Sequence, residues 1–224
     1  MNVKVVSFII VLVLIISFPI GLLIAFPKRD INTSYNREQA IEKLNNASVI
    51  EVSERFSIGQ YYEILVDGEI VATVQGKKFH IFGDTFTMYS SDGSLIGSES
   101  EEVLHLNHQA VFRDYNGNEV FHMSDKLISI GHKLNLYDTN DKLIGKSEQE
   151  ILHFLRKDNY FNSSDELIWK SSKNFSLMGS YTIERVSDSE DTLGAVNVVF
   201  LNCIEDALDK PTNNNSNSKS NSRD

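Results

Sequence analysis

The chain has 224 residues, with 21 Lys and Arg, 31 Asp and Glu, six His, three Pro and one Cys. A single cysteine excludes a disulfide framework and a cysteine-built zinc site. The acidic balance excludes nucleic acid as a partner, because phosphate binding needs a basic surface.

Residues 5–26 (VVSFIIVLVLIISFPIGLLIAF) form an uncharged apolar run of 22. As a helix rising ~1.5 Å per residue the run reaches about 33 Å, enough to cross a bilayer's hydrocarbon core. Pro19 and Gly21 are tolerated in such a helix. The competing reading is a cleaved secretory signal, since Lys4 gives a short basic start. Against it, the run is long, no small-residue cleavage site follows, and it ends in Phe26-Pro27-Lys28. The expectation is a membrane anchor over residues 1–30, containing one N-terminal transmembrane helix, with the lipid bilayer as partner of residues 5–26. Lys28, Arg29 and Arg37 follow the span, while Lys4 and the terminal amine precede it. The positive-inside rule then favours a single-pass protein with its C-terminal domain in the cytoplasm, the extracytoplasmic side staying open.

Residues 31–56 read as a helical or irregular linker. Within it, NREQAIEKLNNA (36–47) places Ala40, Ile41 and Leu44 on one side of a short helix. Residues 31–208 carry 15 basic against 28 acidic side chains. An anionic membrane surface repels a body so acidic unless a basic patch is hidden in it, and the nearest approach to one is Lys77-Lys78.

An internal repeat follows. The segments YSSDGSLIGSES (89–100), RDYNGNEVFHMS (113–124), YDTNDKLIGKSE (137–148) and FNSSDELIWKSS (161–172) bring Asp92-Gly93, Asn116-Gly117, Asn140-Asp141 and Ser164-Asp165 round at steps of 24. An earlier copy at 65–74 puts Asp67-Gly68 one residue off, 25 before Asp92. Such pairs tolerate positive φ and close tight hairpins. A second element recurs as KKFHIFGDT, EVLHLNHQ, DKLISIGHK, EILHFLRKD and KNFSLMGS, a linker from each hairpin to the next. A leucine-rich ladder is absent, and five or six hairpins make too few propeller blades. The economical solution is a closed antiparallel β-barrel of about 12 strands, in which ring closure removes the exposed edges.

Residues 193–208 (LGAVNVVFLNCIEDAL) break the pattern, having no internal turn. With Asp191 or Thr192 as cap and Ser187, Asp188 and Glu190 near its positive end, the segment reads as a helix. Apolar nearly all round in its first half, it belongs in the barrel interior, although its valines keep a strand reading open. Residues 209–224 contain no large apolar side chain and read as a disordered polar tail.

A mainly β barrel around a C-terminal hydrophobic helix, with Y-x-I/L-x-D-G-x-I/L-I/V-G/A turns and K-x-F/L-x-I/L linkers, resembles the LURP-one-related proteins. They belong to the tubby C-terminal-like group, which also holds the phospholipid scramblases. The resemblance covers residues 57–208. It implies a barrel domain over that range with central helix 193–208, and a theme of membrane association, lipid binding or lipid movement. Scramblase-like calcium ligands do not carry over, because Asp188, Glu190 and Asp191 lack the required glycine. Nor does a phosphoinositide pocket fit the acidic body.

No chemistry-bearing constellation emerges. His108 and His132 are one period apart and His105 and His153 two, so a metal pair is conceivable, yet no partner ligand can be named. Cys203 falls in the buried helix, where cysteine acts as a small hydrophobe. Gly83-Asp84, Gly131-His132 and Gly179-Ser180 read as linker bends, and Glu99, Glu101 and Glu102 as a solvated face. Trp169, standing at the phase of Gly97 and Gly145, reads as a packing residue. No catalytic, cofactor or metal residue is assigned. The expected function is a membrane-tethered, non-enzymatic binding or scaffold domain, meeting a protein partner or lipid on its outer wall. The alternatives are a scramblase-like lipid handler and, behind it, a metal-dependent enzyme.

Overall fold

The computed structural model describes residues 34–57, 59–79, 83–102, 109–125, 133–150, 155–175, 179–188 and 193–208. Residues 5–26 and 209–224, read above as anchor and tail, lie outside them. Among the described residues no helix is long and apolar enough to cross a membrane.

Helix α1 (Arg37–Asn45) precedes twelve strands: β1 (Val49–Glu54), β2 (Gln60–Val66), β3 (Glu69–Phe79), β4 (Gly83–Ser90), β5 (Leu95–Glu102), β6 (Gln109–Asp114), β7 (Glu119–Asp125), β8 (Lys133–Asp138), β9 (Leu143–Gln149), β10 (Lys157–Asn162), β11 (Leu167–Lys173) and β12 (Ser180–Arg185). Helix α2 (Ala195–Leu208) ends the fold. Each strand pairs antiparallel with the next, and β1 pairs with β12 through Ile50↔Ile183 and Val52↔Tyr181, closing the meander into a barrel. Closure leaves no edge open to another chain. The barrel begins at Val49, inside the stretch expected to be linker. Val49-Ile50-Glu51-Val52 alternates, with Ile50 and Val52 buried, but it stands outside the repeat and carries no turn signal of its own.

The repeat governs the geometry. Asp67 and Gly68 both take positive φ (55° and 78°) and form a two-residue hairpin loop. The other four loops are one residue longer and put a single left-handed residue last: Gly93, Gly117, Asp141 and Asp165. The early 25-residue step is thus a shorter first loop. Register shifts fall at Ile64/Leu65, Met88/Tyr89, Phe112/Arg113, Leu136/Tyr137 and Tyr160/Phe161, one in each repeat at an unbroken step. A bulge bends its strand and raises its twist, so a bulge repeated at constant phase curves the meander towards closure. The expected linkers are largely strand at their ends, with Lys77–Phe79 in β3 and Gly83 and Asp84 in β4.

The barrel therefore has a turn rim, where the hairpin loops lie, and a linker rim, where β1 passes to β2 and β11 to β12. Asn36 caps α1 in a reciprocal box with Gln39. Ala40 and Leu44 are buried, and the Tyr35 N–H and Arg37 Nε donate to Ser91 Oγ and the Leu95 carbonyl, each at 2.8 Å. The helix read at 36–47 thus lies against the turn rim.

Helix α2 fills the barrel. From Val198 to Ala207 no residue is more than 5% exposed. Phe200 meets Phe112 edge-on at 5.5 Å, while other turns of the helix touch β2, β9, β10, β11 and β12. Contacts on all sides leave only an axial position, and the strand reading of this segment falls. Its start differs from expectation: the Gly194 carbonyl accepts from Asn197 and Val198, making Gly194 the cap in place of Asp191 or Thr192. Asp188 instead pairs with Arg185 at 3.2 Å. Leu193 decides the entry point, because it lies against Gly145 and its carbonyl accepts from Trp169 Nε1 at 3.0 Å. A Cβ on Gly145 would stand 2.5 Å from Leu193 Cδ1 and 2.8 Å from the Phe161 carbonyl oxygen. Gly145 therefore leaves room for the incoming chain, and Trp169, one repeat later, packs against it.

Candidate functional site

The interior changes character along the helix. Near the turn rim α2 presents Ala195, Val198 and Val199 to apolar strand residues. One turn and more further on, Asn202, Glu205 and Asp206 follow at spacings of three and four, which put polar atoms on neighbouring faces of the helix. All three are at most 1% exposed. A buried carboxylate needs a paired charge and hydrogen bonds, and strands β9 to β12 with β2 supply them.

Glu205 accepts from Ser147 Oγ on one oxygen, and from Arg156 Nη2 at 2.8 Å and Tyr160 Oη at 3.2 Å on the other. Arg156 turns its Nε to Asp158, at 2.8 and 3.0 Å from the two oxygens. Ser171 Oγ donates to Asp158 at 3.1 Å and receives a bond from Asn202 Nδ2 at 3.0 Å. The Arg156 side chain is 6% exposed and that of Asp158 0%. One guanidinium is thus shared by two buried carboxylates. Burial alone would lower the Arg156 pKa, but Glu205 and Asp158 outweigh it and raise it. Glu205 is pushed up to about 7, first by burial and then by the charge of Asp158, against the pull of Arg156.

Asp206 forms a second knot. Tyr62 Oη donates to it at 2.8 Å, Tyr181 Oη donates to its other oxygen, and Lys173 Nζ lies 3.4 Å away. Burial, with the neighbouring acid, drives both phenols well above their ordinary pKa. They stay protonated and donate to Asp206. Both carboxylates are bonded to the wall, which fastens the helix to it, while Asn202 Oδ1 is buried without a hydrogen-bond partner.

The positions weighed from sequence fare unevenly. His105, His108, His132 and His153 lie outside the described residues, as do the side chains of Glu101 and Glu102. Cys203 is buried on α2, where its thiol acts electrostatically on the Tyr62 hydroxyl. Glu99 is not on a solvated face. It is 2% exposed and points inward opposite Phe86 and Phe112, because the two-residue period that turns Gly97 inward turns Glu99 inward as well. Among the described residues no group of three His, Cys, Asp or Glu side chains is placed to hold a metal ion. A histidine not singled out in the sequence, His122, is 8% exposed. Its Nδ1 lies 3.1 Å from Glu119 Oε1 and its Nε2 3.2 Å from Asp141 Oδ1. The buried knots escaped sequence reading because Ser147, Asp158 and Ser171 lie on three different strands, β9, β10 and β11, with Arg156 just ahead of β10. The spacing of Asn202, Glu205 and Asp206 was the one available signal.

Outside the barrel, an open cleft of about 550 Å³ runs between α1 and the turn rim, lined among others by Tyr35, Lys43, Val49 and Asp67. Two of its polar side chains share one partner: Lys43 Nζ is 2.9 Å from Glu69 Oε2, and the Tyr35 hydroxyl donates to the same oxygen.

A plant protein has this fold. The X-ray structure of a protein from Arabidopsis thaliana matches with a TM-score of 0.50 over 76% of this chain and 98% of that one, at 12% identity. So low an identity speaks for the fold alone. No family model matches the chain, and no curated protein matches it in sequence.

Proposed function

We propose that the protein is a membrane-tethered, non-enzymatic binding or scaffold module of the LURP-one-related type, held to a bilayer through residues 5–26 and working through the outside of its barrel. The observation that carries this reading is the filled interior. Helix α2 occupies the axis, and its three buried polar side chains bond to the wall, so no lumen is left for a small ligand. Recognition then falls to outer surfaces. The repeat motifs, the twelve-strand closure and the fold shared with the Arabidopsis protein support placement in the tubby-like group, and the uncharged run of 22 residues supports the tether.

The test is reconstitution of the full chain into phosphatidylcholine vesicles containing a labelled lipid. The expected result is co-flotation of the protein with the vesicles and lipid flip-flop no faster than in empty ones. Faster flip-flop would replace this reading with the scramblase-like one, and failure to float would remove the tether.

A further inference from the structure

Two hairpin loops at the turn rim are tied to the preceding hairpin in the same way. Asp165, the left-handed residue that ends the β10–β11 loop, has its Oδ1 2.7 Å from Lys146 Nζ on β9. Asp141 holds that place in the β8–β9 loop, and its Oδ1 lies 3.2 Å from His122 Nε2 on β7. Asp141 and Asp165 are 24 residues apart, and so are His122 and Lys146. One position of the repeat thus carries a fixed cation in one unit and a histidine in the unit before it. One unit earlier still, the same two positions hold Ser98 and Gly117, which have no charge to pair.

Phe121 and Met123 belong to the core, so the two-residue period puts His122 between them on the outer wall. It is nevertheless buried there. Its ring stacks on Tyr137 of β8 with centroids 5.8 Å apart, and its register partner on β6 is Val111. Its Nδ1 lies 3.1 Å from Glu119 Oε1, so each ring nitrogen faces a carboxylate oxygen at hydrogen-bond distance. Other charged groups around it, among the described residues, have bonds of their own. Arg113 of β6 donates to Ser100 Oγ at 2.7 Å. Asp138, at the base of the β8–β9 loop, accepts from the Asn140 and Lys142 backbone N–H groups at 2.8 and 2.9 Å. The Lys142 side chain follows Asp141 in the loop and is exposed.

Only an imidazolium satisfies both contacts, because it donates from both nitrogens. A neutral imidazole has one N–H and turns a lone pair to the second carboxylate. Histidine is also the side chain that changes charge in the neutral range. The two acids differ in what they lose when the proton leaves. The Asp141 side chain is 88% exposed and that of Glu119 41%, so Asp141 regains water by turning outward at the smaller cost. The Lys146–Asp165 pair keeps its cation through the same range, since the bond to Asp165 raises the Lys146 pKa above its ordinary value.

We propose that His122 is a pH-operated clasp: as an imidazolium it ties the β8–β9 loop to β7 through Asp141, and on losing its proton it releases that loop. The β10–β11 loop stays bound by Lys146 in both states. The turn rim then carries one loop whose order follows pH beside one whose order does not. The clasp needs no bilayer, and it puts a pH-dependent element on the outer surface, where a partner would bind.

The test places a nitroxide spin label in each loop of the full chain, through Asn140→Cys or Ser164→Cys, in dodecyl maltoside micelles. Both are exposed loop positions one repeat apart, and Cys203 is buried and stays unlabelled in the folded chain. Circular dichroism should therefore match that of the parent. The label at 140 should be restrained at pH 5 and several-fold more mobile at pH 8, while the label at 164 stays restrained at both. Adding Asp141→Asn or His122→Gln should leave the label at 140 with one mobility at both pH values. Asn tolerates the left-handed backbone found at 141, so the loop keeps its shape in the first of these. A label at 140 that ignores pH in the parent, or still responds to it in Asp141→Asn, would overturn the clasp. Equal loosening of both labels would assign the change to the barrel as a whole and overturn it as well.

Discussion

The two halves of the barrel interior are held by different means. Around the entry of α2 the contact is apolar: Leu193 sits against Gly145 and Trp169, and Val198 and Val199 are wholly buried. Around its exit, Arg156, Asp158, Glu205, Asp206 and three tyrosines form polar knots. The entry relies mainly on apolar packing, with one hydrogen bond from Trp169 to the Leu193 carbonyl, while the exit depends on a network of charged and hydrogen-bonded partners. The entry half therefore supplies bulk stability, and the exit half fixes the depth and rotation of the helix.

The largest effect expected of a single change is at the exit. Arg156→Ala leaves Asp158 and Glu205 buried without their shared cation, a loss of about 3–5 kcal/mol at neutral pH by the usual cost of breaking a buried pair. Urea unfolding at pH 7 measures it; a loss below ~1 kcal/mol would mean that water reaches the two acids. At the entry, Trp169→Phe keeps most of the volume but deprives the buried Leu193 carbonyl of its donor. The expected loss is about 1–3 kcal/mol, and an unchanged midpoint would sink the idea that Trp169 positions the entering chain. Gly145→Ala forces a methyl against Leu193 and the Phe161 carbonyl and should also cost about 1–3 kcal/mol.

The comparison sharpens through pH. The Glu205 pKa is raised to about 7, so between the ordinary glutamate value and about 7 the folded protein holds the proton that the unfolded chain gives up. Stability from this group is present at low pH and is lost as pH rises through that window. Relative to Glu205→Gln, the parent should therefore weaken between pH 5 and pH 8, and parallel profiles would place Glu205 in water. The turn rim supplies the opposite sign at smaller size. Backbone N–H groups of Lys142 and Asn140 hold the Asp138 carboxyl below its usual range. Its contribution is present above the ordinary carboxylate pKa and lost as pH falls through the lowered value. Asp138→Ala should lower the thermal midpoint slightly at pH 7 and leave it unchanged in acid, as scanning calorimetry at both pH values would show.

Much of this architecture was legible in the chain. Asp67-Gly68, Asp92-Gly93, Asn116-Gly117, Asn140-Asp141 and Ser164-Asp165 mark the five hairpins because a left-handed backbone residue must be affordable in their own loop. Ala40 and Leu44 marked the buried side of α1 for a similarly local reason. Glu99 and β1 were misjudged where one-dimensional pattern fails. The inward turn of Glu99 follows from its strand register, and β1 belongs to the barrel because β12, far away in sequence, pairs with it.

The sequence by itself determined the repeat, its turns, its strand count and the oily helix that ends it, because each rests on forces acting within a few residues. Only the tertiary structure decided where that helix enters, and that its Asn202, Glu205 and Asp206 face partners from five strands. Those outcomes depend on groups brought together by ring closure, and no spacing along the chain encodes a distance across a barrel.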